Sequence, residues 1–156
     1  MVRRNPVAAV VVLVVLVLVG TGPLTGFDVT GTPDTFGEGN ATIDTASVDS
    51  SALTVTDGRF GANVSYLRVP AATVTVGAVT DRPRLVYIVS VPGLGIERVE
   101  SEVMTGSGTY RLVPDDRALD PDGSAGMYNA SLSVRVQSFS TDWTVTRLNT
   151  TVEVGR

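Results

Sequence analysis

The chain has 156 residues, 43% of them hydrophobic and 6% aromatic, with 12 basic and 16 acidic side chains for a formal charge of -4. It contains no Cys and no His, and all 12 basic residues are Arg, so Lys is absent too. Those absences exclude a Ser-His-Asp triad, a Cys nucleophile, a Schiff-base or P-loop Lys, a disulfide, and zinc or iron-sulfur sites of the usual ligand types.

The first predicted element is N-terminal. A short basic stretch ending in Arg3, Arg4, Asn5 and Pro6 precedes an unbroken apolar run from Val7 to Val19, and uncharged residues continue to Phe27. That is the layout of a secretion signal or a signal anchor. The strict run of 13 residues makes roughly 20 Å of helix, short of a hydrocarbon core about 30 Å thick. Carried to Phe27, its 21 residues reach roughly 32 Å and span that core. A small-x-small cleavage site is not well formed, because Pro23 follows Gly20 and Gly22. Residues 1–27 are therefore expected to be an uncleaved transmembrane anchor, with the lipid bilayer as partner of residues 7–27. The alternative is a cleaved signal and a secreted protein. Arg3 and Arg4 place the N-terminus in the cytoplasm and the remaining chain outside. No Cys follows the apolar run to accept a lipid.

Residues 28–40 have no hydrophobic period and are rich in Gly, Thr, Pro and acid, which predicts a flexible linker. Beyond it, short Val- and Thr-rich runs separated by Gly, Pro and Asp predict strands near 41–48, 52–57, 63–69, 72–79, 84–91, 96–104, 107–113, 130–139 and 143–154. This spacing predicts an all-β fold: an immunoglobulin-like antiparallel β-sandwich of about 7 to 9 strands over residues 41–156, preceded by one transmembrane helix. Leu85, Tyr87, Val89 and Val91 alternate with Val86, Ile88 and Ser90, so this strand is apolar on both sides and expected to be central. In the next-to-last run Leu132, Val134 and Val136 face inward, with Asn129, Ser131, Ser133, Arg135 and Gln137 outward. The last run buries Leu148, Thr150, Val152 and Val154 and turns Arg147, Asn149, Thr151 and Glu153 out. Trp143 is expected to anchor the start of this strand on the face of Val145 and Arg147.

Four of the five Asn lie in Asn-x-Ser/Thr sequons: Asn40, Asn63, Asn129 and Asn149. N-glycosylation at one or more of them is expected in a host that performs it; the plain alternative is that a Thr-rich β protein generates such triplets freely. The outer region, residues 28–156, has 10 Arg against 16 carboxylates, a net of -6. It lacks the basic face that phosphate neutralisation requires, so nucleic acid is not an expected partner.

Catalysis would have to run on carboxylates, Arg, Tyr or hydroxyls. Glu97, Glu100 and Glu102 are close in sequence, but on a strand Glu100 and Glu102 share a face with Arg98, the pattern of a self-compensating edge. No catalytic residue and no cofactor is assigned. Asp115, Asp116, Asp120 and Asp122 are candidate Ca²⁺ ligands, although the calcium-loop spacing is not met. The plain alternative is a solvated acidic loop turned by Pro and Gly. Gly93-Leu94-Gly95 joins two strands and is read as a turn, not a phosphate cradle.

Zero Lys beside 12 Arg, 11 Asp against 5 Glu, abundant Val, Thr and Gly, a Val-rich N-terminal helix and the segment Phe36-Gly-Glu-Gly-Asn-Ala-Thr42 resemble membrane-anchored or secreted surface proteins of halophilic archaea. The resemblance lies in composition and layout, and a high-GC bacterium is the other source it allows. It implies a place between membrane and S-layer, where N-glycosylation and β-sandwich domains are frequent. The expected function is a non-catalytic, membrane-anchored surface protein binding an envelope protein or glycan, or serving structurally. The alternatives are a subunit of a larger envelope or surface-filament assembly, and a carbohydrate-active or Ca-dependent enzyme.

Overall fold

Val and Thr dominate the outer sequence because β-branched side chains fit a pleated, half-buried surface better than a helix. The computed structural model describes residues 36–58, 64–120 and 124–155, all within the unit Asp34–Arg156. The anchor expected at 1–27 lies outside these residues. Among the described residues no helix is long and apolar enough to cross a membrane.

The described chain is all-β: β1 (Gly39–Val48), β2 (Thr54–Asp57), β3 (Ser65–Arg68), β4 (Ala72–Asp81), β5 (Arg84–Val91), β6 (Ile96–Val103), β7 (Gly108–Leu112), β8 (Arg117–Ala118), β9 (Gly126–Gln137) and β10 (Asp142–Val154). Two 3-10 turns, Ser50–Ala52 and Pro92–Leu94, complete it. The strands form three sheets in the orders β1-β4-β7, β10-β9-β5-β6 and β2-β3-β8. Every pairing is antiparallel. Val74 and Val76 from the first sheet, Leu85, Tyr87, Val89, Leu132, Val134 and Val136 from the second, and Leu67 from the third join one apolar cluster in a sandwich-like arrangement. Each such side chain contributes about 1.5–3 kcal/mol by leaving water.

β5 lies between β9 and β6, the central place its two apolar faces imply. Leu85, Tyr87, Val89 and Val91 are fully buried on the inner face, and Val86 is buried on the other. In β9 the inward set Leu132, Val134 and Val136 is buried as alternation requires, but outward Ser133 is buried as well, opposite Ile88 on one side and Arg147 on the other. Arg147, Asn149, Thr151 and Glu153 of β10 are exposed, while Val152 and Val154 are buried.

Two expectations need correction. Trp143 does not share a face with Arg147, because a register shift between Thr144 and Thr146 inserts Val145 as an extra residue and inverts the alternation before it. Trp143 and Val145 pack against the core, whereas Arg147 is exposed. The linker also ends earlier than residue 40. Gly37 N–H donates to the Arg82 carbonyl at 2.9 Å, and Phe139 N–H donates to the Gly37 carbonyl at 3.2 Å. The Phe36 ring stands edge-on to Phe139 at 4.8 Å, with the Arg84 guanidinium 4.3 Å above it. Gly39 and Asn40 already belong to β1; residues 28–35 lie outside the described residues.

Candidate functional site

Two of the four sequons lie on the outer face of the second sheet, on β9 and β10. Register pairs Asn129 with Thr151 and Ser131 with Asn149, so the triplets 129–131 and 149–151 run antiparallel, each Asn opposite the hydroxyl residue of the other. Their middle residues point inward, Ala130 being buried and Thr150 half-buried, which turns both Asn outward where they are exposed. Asn40, whose face alternation leaves undecided, is exposed at the start of β1. Its Oδ1 accepts from Ala41 N–H at 2.8 Å and from Trp143 Nε1–H at 3.2 Å. Its backbone N–H donates to Thr80 Oγ1 at 3.0 Å. With both side-chain bonds on the oxygen, the amide nitrogen that a glycan would join is left without a partner among the described residues. Asn63 lies outside them.

The candidate calcium ligands are dispersed. Asp116 forms an ion pair with Arg68 and accepts from Val69 N–H at 3.1 Å, tying the segment before β8 to the end of β3. The Asp115 side chain is 94% exposed and stands 3.8 Å from the Arg98 guanidinium, while its carbonyl accepts from Arg98 Nε at 3.3 Å. Asp120 borders a cavity, and Asp122 lies outside the described residues. Among the described residues no three acidic side chains converge. Asp116 therefore acts as a structural clamp. Asp116→Ala, which leaves the buried Val69 N–H unsatisfied, is expected to cost about 1–3 kcal/mol in denaturant unfolding, with Asp115→Ala within about 0.5 kcal/mol of the parent.

The three glutamates of β6 divide between the two faces of the strand. Opposite Val89, Tyr87 and Leu85 respectively, Arg98, Glu100 and Glu102 project from β6 on the core side of the sheet, while Glu97 pairs with Ser90 on the other side. Inward-facing charge on a terminal strand is a device that blunts a sheet edge.

The cavity was not legible from spacing. It encloses about 430 Å³ at the end of the second sheet, walled by Leu94, Ile96, Leu119, Val154 and the Tyr128 ring, with Arg117 on its border. The turn at Gly93-Leu94-Gly95 forms one lip, closed by Gly95 in the left-handed region at φ +63. Gly93 is needed because a Cβ there would stand 2.7 Å from the Tyr128 ring. The Tyr128 hydroxyl donates to the Ser124 carbonyl at 2.7 Å and fixes that wall. Bringing these residues together takes the pairing of β8 with β3, and a two-residue strand leaves no periodic signal. No protein-family model, no curated protein and no solved structure matches the chain.

Proposed function

We propose that the chain is a non-catalytic surface protein: an N-terminal anchor over residues 1–27 holding one β domain outside the cell, N-glycosylated, with a binding or structural role in the envelope of a halophilic archaeon. The observation that carries this reading is that every sequon Asn among the described residues is exposed. Asn129 and Asn149 stand beside each other on the solvent face of β9 and β10, and Asn40 is exposed with its amide oxygen engaged and its nitrogen clear. The charge of -6 over residues 28–156 argues for a protein or glycan partner and against nucleic acid.

We further read the domain as immunoglobulin-like. Without the small β2-β3-β8 sheet, seven strands remain; the first, second and fifth form one sheet, and the seventh, sixth, third and fourth form the other. That partition supports the assignment, because immunoglobulin-type sandwiches place their last two strands beside the third. The test is membrane fractionation of the native host combined with Asn→Gln variants at residues 40, 63, 129 and 149. Retention in the membrane after alkaline carbonate, with loss of mass at one or more variants, is the expected result. Release by carbonate with no variant changing mass would defeat it. The long terminal strand β10 favours a second reading, a subunit that assembles through its sheet edge.

A further inference from the structure

The two larger sheets present four terminal strands, and three carry a feature that discourages pairing. β6 bears Arg98, Glu100 and Glu102 on its core side. β7 has only 5 residues, and β1 is broken by register shifts around Ile43 and Thr45, with Asp44 at the irregularity. β10 is different. It has 13 residues, pairs with β9 alone, and no other backbone hydrogen bond reaches it among the described residues. Beyond its one register shift, Thr146 to Val154 is a regular stretch whose only charges are Arg147 and Glu153.

The order of side chains in that stretch is self-complementary. Laid antiparallel against itself about Thr150, it sets Arg147 opposite Glu153 and Glu153 opposite Arg147. On the same outer face, Asn149 meets Thr151. On the inner face, Leu148 meets Val152 and Thr146 meets Val154. Residues directly opposite across a ladder point to the same side, so the apolar pairs extend the existing core face and the charges stay in water. A register displaced by two residues toward either end separates both opposite-charge pairs. We infer that the β10 edge binds a second copy of this chain, antiparallel about a twofold axis at Thr150, joining the two four-stranded sheets into one of eight. An isologous contact of this kind closes as a dimer. It does not depend on the anchor, and it requires only that Asn149 carry no glycan; the proposed function needs a glycan at any one of the four sequons, so failure of either reading leaves the other standing.

The test measures dimer dissociation of the full chain in detergent micelles by sedimentation, using protein made without N-glycans because Asn149 would stand beside Thr151 of the second copy. Arg147→Glu and Glu153→Arg, each placing like charges at both symmetric positions, are expected to weaken the dimer about tenfold. The double exchange, Arg147→Glu with Glu153→Arg, restores affinity to within about threefold. Both side chains are exposed, so folding is not at stake. As an independent probe, Thr150→Cys in this Cys-free chain should oxidise to a linked dimer, since opposed Cα atoms about 4.5–5.5 Å apart lie within disulfide range. Ser101→Cys on β6 should not. A monomer at every concentration, a dimer indifferent to both single charge reversals, or no cross-link at position 150 would overturn the inference.

Discussion

Tyr87→Phe is expected to leave the fold intact and to stabilise it by about 1–2 kcal/mol, whereas Tyr87→Ala should cost about 3–5 kcal/mol. Tyr87 is fully buried at the middle of the central strand β5, and its hydroxyl has no hydrogen-bond partner among the described residues. The ring fills space between the sheets and contributes as any large core side chain does. The hydroxyl leaves its hydrogen bonds with water behind and regains none, so removing it relieves a penalty without opening a cavity. Chemical denaturation of the three proteins checks both signs. If Phe destabilised by as much as 1 kcal/mol, the hydroxyl would have to be bonded in solution, and the account of this core would be wrong.

The same burial predicts alkaline behaviour. Desolvation disfavours the phenolate and raises the Tyr87 phenol above its ordinary value of 10.0. Above pH 10 the unfolded chain releases this proton while the folded chain retains it, so the stability present below that pH is lost as the pH rises. The slope from this one group is about 1.4 kcal/mol per pH unit. Tyr87→Phe should remove that portion of the alkaline loss.

Gly39→Ala is the second large effect, expected to cost about 2–4 kcal/mol. Gly39 holds φ +109, and a Cβ there would fall 1.9 Å from the Thr80 carbonyl oxygen, a backbone atom that cannot swing aside. It pairs with Asp81, itself at φ +56, where β1 meets the end of β4. The next residue is Asn40, whose Oδ1 receives the Trp143 indole N–H. Because Trp143 is the only Trp in the chain, its fluorescence should shift to the red as that contact loosens, together with a lower melting temperature. Gly106→Ala is the control. Its Cβ would meet nothing within 4 Å, so a change under about 1 kcal/mol is expected.

Alternation carries far in this chain because the strands are long and their faces sharply different. Leu132-Val134-Val136 and Val152-Val154 can be assigned inward from residue type alone, and the exposed Asn129 and Asn149 follow from the same period. That period fails where one residue is inserted. Nothing in Trp143-Thr144-Val145-Thr146 announces the extra residue, since each side chain suits either face of a strand. The inward placement of Arg98, Glu100 and Glu102 is hidden for another reason: at a terminal strand the core side is itself an open edge, so charge there carries little penalty. The Asp116 clamp and the Tyr128 wall depend on contacts between distant segments, Asp116 with Arg68 and Tyr128 with Gly93, and no local pattern encodes them.

The central claim is a glycosylated domain held outside the cell by a retained N-terminal helix. Intact-mass measurement of the native protein taken from membranes tests it most directly. The claim predicts a species heavier than the 16.3 kDa of the 156 residues, with residues 1–27 present and glycan mass attached. A lighter species, cut near residue 27 and carrying no glycan, would contradict both the anchor and the glycosylation.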